Sequence, residues 1–184
     1  MKTAIVMMIA LGAGALVAGD LKINGEFKIL NPAKTAPAGW TKNFSNQKDI
    51  GTGKIVPARK AGENAFQVTT TSRETPFYTG TPYSIKPGNK VKIEADVKGK
   101  GTAILGAYIY DAKGGFITSF NVANKKVSDT FSEIKGEFIV PKEYDAWRNN
   151  AKVKVVPANV RIVFSAAANS DIVFEDVEAE VDAD

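Results

Sequence analysis

Strict alternation of apolar and polar positions is the main pattern of this chain. Val91, Ile93, Ala95 and Val97 alternate with charged residues, and a period of two places one set on a core and the other in water. Similar runs recur at short intervals, separated by the glycine, proline and asparagine clusters that are typical of turns. This spacing predicts an all-β fold, a two-sheet antiparallel β-sandwich (jelly roll).

The predicted strands are short runs rich in β-branched and aromatic residues. The segment from Pro141 to Asn150 differs, because a proline followed by Lys142, Glu143 and Tyr144 favours a short helix. No internal repeat or linker divides the chain into further domains. The predicted strands are Glu26 to Leu30, Lys54 to Pro57, Ala65 to Thr71, Pro82 to Lys86, Lys90 to Lys98, Ala103 to Tyr110, Phe116 to Asn121, Phe131 to Val140, Val160 to Ala166 and Ile172 to Val181.

The start of the chain is apolar and short. Lys2 precedes an apolar run from Ala4 to Val17, which ends at the small pair Ala18-Gly19. The run is shorter than the roughly 20 residues that a membrane-spanning helix needs, so it predicts a secretory signal peptide over residues 1–19, with a membrane anchor as the alternative. We therefore expect one domain over residues 20–184 that is secreted, periplasmic or at the cell surface, with no membrane contact after signal removal.

The composition excludes several classes of chemistry. The chain has 184 residues with no cysteine and no histidine, which removes disulfides, histidine-activated nucleophiles and histidine-based zinc sites. The formal net charge is +4, with spaced lysines in the first third and an acidic end from Asp171 to Asp184. Spaced lysines are typical of a solvated face rather than of a phosphate-binding stripe, so we expect no nucleic-acid partner.

A series of short blocks occurs in a characteristic order. The blocks are Asn24-Gly25-Glu26-Phe27, Pro37-Ala38-Gly39-Trp40, Ala65-Phe66-Gln67-Val68, Pro87-Gly88, Val97-Lys98-Gly99, Tyr110-Asp111-Ala112-Lys113-Gly114, Phe138-Ile139-Val140-Pro141 and Glu175-Asp176-Val177. In this order and spacing the chain resembles the carbohydrate-binding modules of families four and nine, the CenC-like modules with a galactose-binding-type jelly roll. The resemblance covers nearly all of residues 24–177. It implies a module that holds a polysaccharide or oligosaccharide on one sheet face without cutting it.

Two tyrosines, Tyr108 and Tyr110, are the main candidates for sugar contact. Sugars offer C–H patches that stack on aromatic faces and hydroxyls that exchange hydrogen bonds. Both tyrosines share a strand face with Ile104 and Gly106, so we predict that they form a stacking platform. The alternative is that they only cover the sheet as boundary residues. The opposite, core-like face consists of Leu105, Ala107 and Ile109.

Further candidates surround this pair. Across the predicted hairpin, Phe116, Thr118 and Phe120 are expected beside the tyrosines. Two aromatic residues near residue 145, Tyr144 and Trp147, either rim the groove or plug the end of the sandwich. The predicted carbohydrate-binding residues are Tyr108, Tyr110, Phe116, Asn121, Glu94, Asp96 and Trp147, with Lys92 as a further hydroxyl partner.

Three other aromatic residues are assigned by parity or by the resemblance. Trp40 lies in a block that the resemblance places in the core. Tyr83 has the parity of Ile85 and is expected to point inward, whereas Tyr78 has the opposite parity.

The resemblance also implies a structural calcium ion where the opening block meets the last strand. Glu26 and Asp176 are the matching carboxylates, and oxygen ligands are what this hard cation prefers. Many relatives have a second acid after the phenylalanine of the opening block, whereas Lys28 stands at that position here. A lysine amine repels a divalent ion.

Two alternatives to sugar binding follow from the residues. Glu94 and Asp96 share a strand face, as the two carboxylates of a glycosidase must, but Lys98 stands where a third strand acid would strengthen that hypothesis. We therefore predict that the protein is not an enzyme. The alternative function is an envelope or matrix protein that uses the same sandwich for contacts with other proteins, including self-association. It is favoured by the expectation of a single domain with no catalytic domain attached.

Overall fold

The computed structural model describes residues 19–44, 47 and 49–182. Strands are the only regular secondary structure in these residues, which confirms the predicted all-β class, and no helix in them is long and apolar enough to cross a membrane. Apart from Gly19, the predicted signal peptide lies outside the described residues. The strands are β1 (Gly19–Asp20), β2 (Trp40–Lys42), β3 (Thr52–Pro57), β4 (Asn64–Thr69), β5 (Thr75–Thr79), β6 (Tyr83–Ser84), β7 (Lys90–Tyr110), β8 (Phe116–Val127), β9 (Ser132–Ile139), β10 (Tyr144–Arg148), β11 (Ala151–Val155), β12 (Asn159–Ala166) and β13 (Asp171–Asp182).

Two antiparallel sheets share the long strand β7. The first sheet has the order β9-β7-β13-β4-β3, and the second sheet has the order β8-β7-β12-β5-β2. β7 changes sheets at Gly99 and Gly101, whose φ angles are 129° and 110°. Only glycine adopts such angles without strain, and a Cβ at either position would collide with Asp171 or Ser170. The first half of β7 therefore belongs to the first sheet, and its second half belongs to the second sheet.

Aromatic side chains fill the space between the two sheets. Ring centroids lie 4.7 Å apart for Trp40 and Phe164, 4.9 Å for Phe66 and Phe77, and 4.8 Å for Phe164 and Phe174. Trp40 is buried, as predicted. The apolar set of β7's first half is buried as well, so the alternation of that strand is confirmed: Val91, Ile93, Ala95 and Val97.

Residues Glu26 to Leu30 do not form the predicted strand. Phe27 is fully buried with φ of 51°, and the Asn24 side chain holds the turn by donating to the Ile29 and Ala38 carbonyl oxygens, each at 2.8 Å. A residue in this left-handed conformation cannot continue a strand. The apolar content that suggested a strand instead buries a single ring.

Residues Pro141 to Asn150 do not form the predicted helix. Strands β10 and β11 pair as a hairpin whose turn residues Asn149 and Asn150 have φ angles of 51° and 63°. Consecutive positive φ angles are typical of the tight turn whose twist matches a two-stranded ribbon, and asparagine tolerates them. Ala146 is buried and Trp147 is exposed, so the segment alternates with a period of two.

Candidate functional site

The second half of β7 presents its two tyrosines on the outer face of the second sheet. Tyr108 and Tyr110 are half-buried, and the residues that alternate with them are fully buried in the core. The predicted parity of this strand is therefore confirmed. The core-facing set consists of Ala103, Leu105, Ala107 and Ile109.

An open cleft of about 540 Å³ lies on this outer face. Strands β5 and β12 line one side and β8 lines the other, and Asn43 and Phe44 after β2 also contribute to the lining. We call it the tyrosine cleft. Its lining consists of Asn43, Phe44, Glu74, Pro76, Tyr78, Ile104, Gly106, Ala107, Tyr108, Tyr110, Phe116, Ser119, Phe120, Asn121, Val163 and Ser165.

Four aromatic rings form a connected row in the tyrosine cleft. The Tyr108 ring lies 5.7 Å from Tyr78 and 6.3 Å from Phe116, and the Tyr110 ring lies 5.7 Å from Phe116. The two contacts to Phe116 are edge-on, the arrangement that aromatic pairs prefer. Phe116 keeps 48% of its surface exposed, so these rings support one another without being sealed from solvent.

The phenol groups of the cleft are held as neutral hydrogen-bonding groups. Burial raises the pKa of Tyr108, while the hydrogen bond from the Asn43 amide to its hydroxyl oxygen, 3.0 Å long, acts in the opposite direction. Burial also raises the pKa of Tyr110, and the charge of Arg161 opposes that rise. At neutral pH both hydroxyls therefore keep their protons and can donate.

The charged groups at the cleft already have hydrogen-bond partners within the protein. The Arg161 guanidinium lies 5.3 Å from the Tyr78 ring and 5.6 Å from the Tyr110 ring, and it donates to the Thr79 carbonyl oxygen at 2.9 Å. Glu74 accepts a hydrogen bond of 2.6 Å from the Ser165 hydroxyl. Ser119 and Asn121 are exposed, so neutral polar groups dominate what a ligand would meet.

A bulge in β8 changes which of its residues lie beside the tyrosines, so the predicted hairpin face is wrong beyond Phe116. Tyr110 pairs with Phe116 but Ile109 pairs with Thr118, because Ile117 is the extra residue of the bulge. Beyond it, Ser119 lies opposite Tyr108. Asn121, opposite Gly106, is brought into the cleft as predicted.

The same bulge places Thr118 and Phe120 opposite the core-facing residues Ile109 and Ala107 instead of beside the tyrosines, although Phe120 still borders the cleft. Thr118 lies opposite core-facing Ile109, and the Phe120 ring packs edge-on against Phe138 at 4.9 Å. Sequence reasoning missed Ser119 for this reason. Strict alternation gives no signal for a single inserted residue.

Glu94 and Asp96 are not brought together with the tyrosines. They lie in the first half of β7, which belongs to the first sheet, where Glu94 pairs with Lys135 and Asp96 with Glu133 of β9. Lys92 also lies there and forms an ion pair of 2.7 Å with Asp182. The sheet change at Gly99 and Gly101 separates these side chains from the tyrosine cleft, so their expected role as partners there is corrected.

Trp147 lies outside the tyrosine cleft. Its side chain is 71% exposed on the outer face of the β10-β11 hairpin, opposite Lys152. Tyr144 packs against the core, and Tyr83 packs inward as predicted. The neighbouring Arg148 donates to Asp111 at 3.2 Å and so fixes the hairpin beside the end of β7. Trp147 neither rims the cleft nor plugs the sandwich.

The residues predicted to hold calcium do not fit that ion. Glu26 forms an ion pair of 2.8 Å with Lys28, and Asp176 lies 3.8 Å from the Arg59 guanidinium. Within the described ranges no three acidic side chains are arranged to hold a metal. Cationic side chains thus occupy the positions next to both carboxylates.

No protein-family model matches the chain, and no curated protein matches it in sequence. Solved structures do match. The chain has the two-sheet jelly-roll fold of carbohydrate-binding modules, which confirms the resemblance at the level of the fold.

Two of these matches are modules compared over nearly their whole length. The family 22 xylan-binding domain of Paenibacillus barcinonensis Xyn10C has a TM-score of 0.53 at 15% identity, covering 87% of this chain and 93% of that one. The family 11 module of the Clostridium thermocellum cellulase Lic26A-Cel5E has a TM-score of 0.52 at 17% identity, covering 91% and 96%. At these identities the likeness concerns the fold.

Other matches are parts of larger chains. The enzymatically active domain of tailspike protein 4 from bacteriophage CBA120 has a TM-score of 0.57 at 18% identity, covering 86% of this chain. The chain spans about a fifth of that protein's length, 21%. The two modules are thus matched over nearly their whole length, whereas the tailspike protein is matched only in part.

Proposed function

We propose that the protein is a non-catalytic carbohydrate-binding module that holds a glycan chain in the tyrosine cleft. The observation that carries this proposal is the row of half-exposed rings of Tyr78, Tyr108, Tyr110 and Phe116 on one sheet face. Aromatic faces of this kind stack on sugar rings, and the adjoining amides and hydroxyls suit sugar hydroxyls. Similar structures of a xylan-binding domain and of a module in complex with a β-1,3-1,4-mixed-linked tetrasaccharide give it further support.

The chemistry of the cleft favours neutral sugars. Glu74 would repel a uronic acid, and Arg161, the cation nearest the rings, already donates to a backbone carbonyl. Neutral hydroxyls instead find Asn121, Ser119 and the tyrosine phenols. The cleft is open along the sheet, which suits an internal stretch of a polymer rather than its end.

A binding role is also consistent with the acids of the cleft. Hydrolysis of a glycosidic bond uses two carboxyl groups on opposite sides of the bond, roughly 5 to 10 Å apart. Among the residues that line the cleft, Glu74 is the one carboxylate. The module we propose is secreted after removal of residues 1–19, and its location is periplasmic, extracellular or at the cell surface.

Affinity electrophoresis against a panel of polysaccharides tests the proposal. The panel contains neutral xylan, mixed-linked β-glucan and cellulose derivatives, with polygalacturonate as the acidic counterpart. We expect at least one neutral polymer to retard the protein and polygalacturonate to leave its mobility unchanged. No retention on any polymer, together with concentration-dependent assembly in sizing experiments, would favour the envelope or matrix alternative instead.

A further inference from the structure

Arg59, in the loop between β3 and β4, contacts three carboxylates of two other strands. Its Nε donates to Glu175 Oε2 at 2.6 Å, and its backbone N–H donates to Glu175 Oε1 at 2.6 Å. Its guanidinium also pairs with Asp96 of β7 and lies 3.8 Å from Asp176 of β13. One residue therefore joins the loop to two neighbouring strands of the first sheet, β7 and β13.

Glu175 requires such a partner. It is only 3% exposed, and Asp96 lies directly opposite it on β7. A carboxylate removed from water among like charges is costly unless it is paired and hydrogen-bonded. Both hydrogen bonds given to its carboxylate in the described part of the chain come from Arg59.

The local backbone concentrates this negative charge. β13 is irregular between Glu175 and Glu178, and Asp176 adopts φ of 48°. The Asp176 carboxylate lies near the same Arg59 guanidinium that contacts Glu175. Burial, followed by the charge of Glu175, raises the pKa of Asp176, while Arg59 lowers it. The bulge is thus a concentration of acids that needs a positive charge.

An aromatic ring fixes the guanidinium in place. The Arg59 guanidinium and the Lys98 amine each lie 4.5 Å from the centroid of the Phe131 ring. Cations over an aromatic face are attracted by its quadrupole. The position of the charge is therefore set by packing as well as by the acids.

We propose that Arg59 is a built-in counter-ion that stabilises the β13 bulge in the role a bound divalent cation would otherwise fill. This inference concerns stability and is independent of the proposed sugar binding. Glu26 and Asp176 are not free to bind a metal ion, because Lys28 and Arg59 of the chain itself supply the positive charge beside them. The folded protein should consequently be insensitive to calcium, and removing the guanidinium should create a need for a cation.

Thermal unfolding of the full chain tests this inference, with calcium as the probe. For the unchanged protein we expect the same Tm in excess EDTA and in about 5 mM calcium chloride, a concentration that saturates weak sites. Arg59→Ala should lower Tm by about 4 to 12 °C, and calcium should restore part of that loss. Arg59→Lys keeps the charge and should lose less.

Lys60→Ala is the matched control, since Lys60 is the next residue and its ion pair among the described residues is with Glu63 at the surface. Its Tm should change little and should not respond to calcium. A calcium-dependent Tm in the unchanged protein would overturn the inference, and so would a loss in Arg59→Ala that calcium does not reduce. If Arg59→Ala does not fold, the EDTA comparison on the unchanged protein and two further variants decide the question. Arg59→Lys keeps the positive charge and Arg59→Met removes it. An equal decrease in Tm in these two variants would contradict the inference.

Discussion

At the scale of single residues, the side chains of the tyrosine cleft are packed against their neighbours and are still partly exposed to solvent. Tyr108 packs against Tyr78 and Phe116 yet is only half-buried. A ring held by neighbours loses little freedom when a ligand stacks on it, which reduces the entropic cost of binding. Rigidity of the row, rather than its exposed area alone, is what makes these residues suitable for a sugar.

Removing both rings should abolish most of the binding. Stacked aromatic contacts contribute about 0.5 to 1.5 kcal/mol each beyond area burial, so Tyr108→Ala with Tyr110→Ala should weaken glycan binding about tenfold or more. Isothermal titration with the polymer retained in electrophoresis gives the measurement. Trp147→Ala is the control, since it removes an exposed aromatic residue outside the cleft. Equal loss in both proteins would contradict the assignment of the cleft.

Hairpin turns fix the elements that carry the site. The Asp111 carboxylate accepts hydrogen bonds from the backbone N–H of Lys113 at 2.9 Å and of Gly115 at 2.7 Å, and also pairs with Arg148. It lies between Tyr110 and Phe116 in the chain. The turn thereby sets how β8 leaves β7, and the pair with Arg148 attaches the β10-β11 hairpin to the same point.

The charge of Asp111 should make stability depend on pH. The hydrogen bond from Gly115, followed by the one from Arg148, lowers the pKa of this carboxyl below its ordinary value. A lowered folded-state pKa means that the contribution to stability is present above the unfolded pKa, about 4, and is lost as pH falls through the folded pKa.

We expect Asp111→Asn to lower Tm at neutral pH and the difference from the unchanged protein to vanish in acid. Circular dichroism melts between about pH 7 and pH 2 span the transition. Asp111→Ala, which also loses the acceptor for the two backbone groups, should retain a difference in acid. A constant difference for Asp111→Asn across this range would show that the charge has no role.

The turn between β10 and β11 requires positive φ angles at Asn149 and Asn150. A β-branched residue in the left-handed region costs about 1 to 2 kcal/mol, so Asn150→Ile should destabilise the protein by about that amount. Asn150→Gly, which adopts positive φ freely, should be neutral or slightly stabilising. Urea unfolding measures both changes. If the two variants have the same stability, the turn does not hold the conformation described for it.

Sequence periodicity could predict elements whose two faces differ, and it failed where the chain departs from regular pairing. The alternation at Val91 to Val97 and around Tyr108 was confirmed because each strand buries one face. The bulge at Ile117 depends on how β8 pairs with β7, which no local pattern encodes. The hairpin at Asn149-Asn150 was missed because proline and helix-forming residues masked its alternation.

At the scale of the whole molecule, the tyrosine cleft lies on the second sheet, whereas the carboxylates that Arg59 contacts lie on the first sheet. The order of the blocks could predict the jelly roll, but the change of sheet at Gly99 and Gly101 could not be read from alternation that runs unbroken on both sides. That change separates Glu94 and Asp96 from Tyr108 although they share one strand. It also makes binding and stability separable properties of one chain.

Because the tyrosine cleft and Arg59 lie on different sheets, glycan binding and the loss of Arg59 should affect stability independently. A ligand that binds only the folded state increases the free energy of unfolding by about 2.7 kcal/mol when its concentration is 100 times Kd, and so raises Tm. The glycan should therefore raise the Tm of Arg59→Ala by the same increment as that of the unchanged protein, because the cleft and Arg59 have no common contact. At the same glycan concentration, tenfold weaker binding should leave the double tyrosine variant at most about half of this stabilisation, about 1.4 kcal/mol. Changes at sites without common partners add, so combining the substitutions should sum their separate effects on unfolding. A glycan increment that shrinks in Arg59→Ala would mean that the two sheets are coupled through β7, the strand that they share.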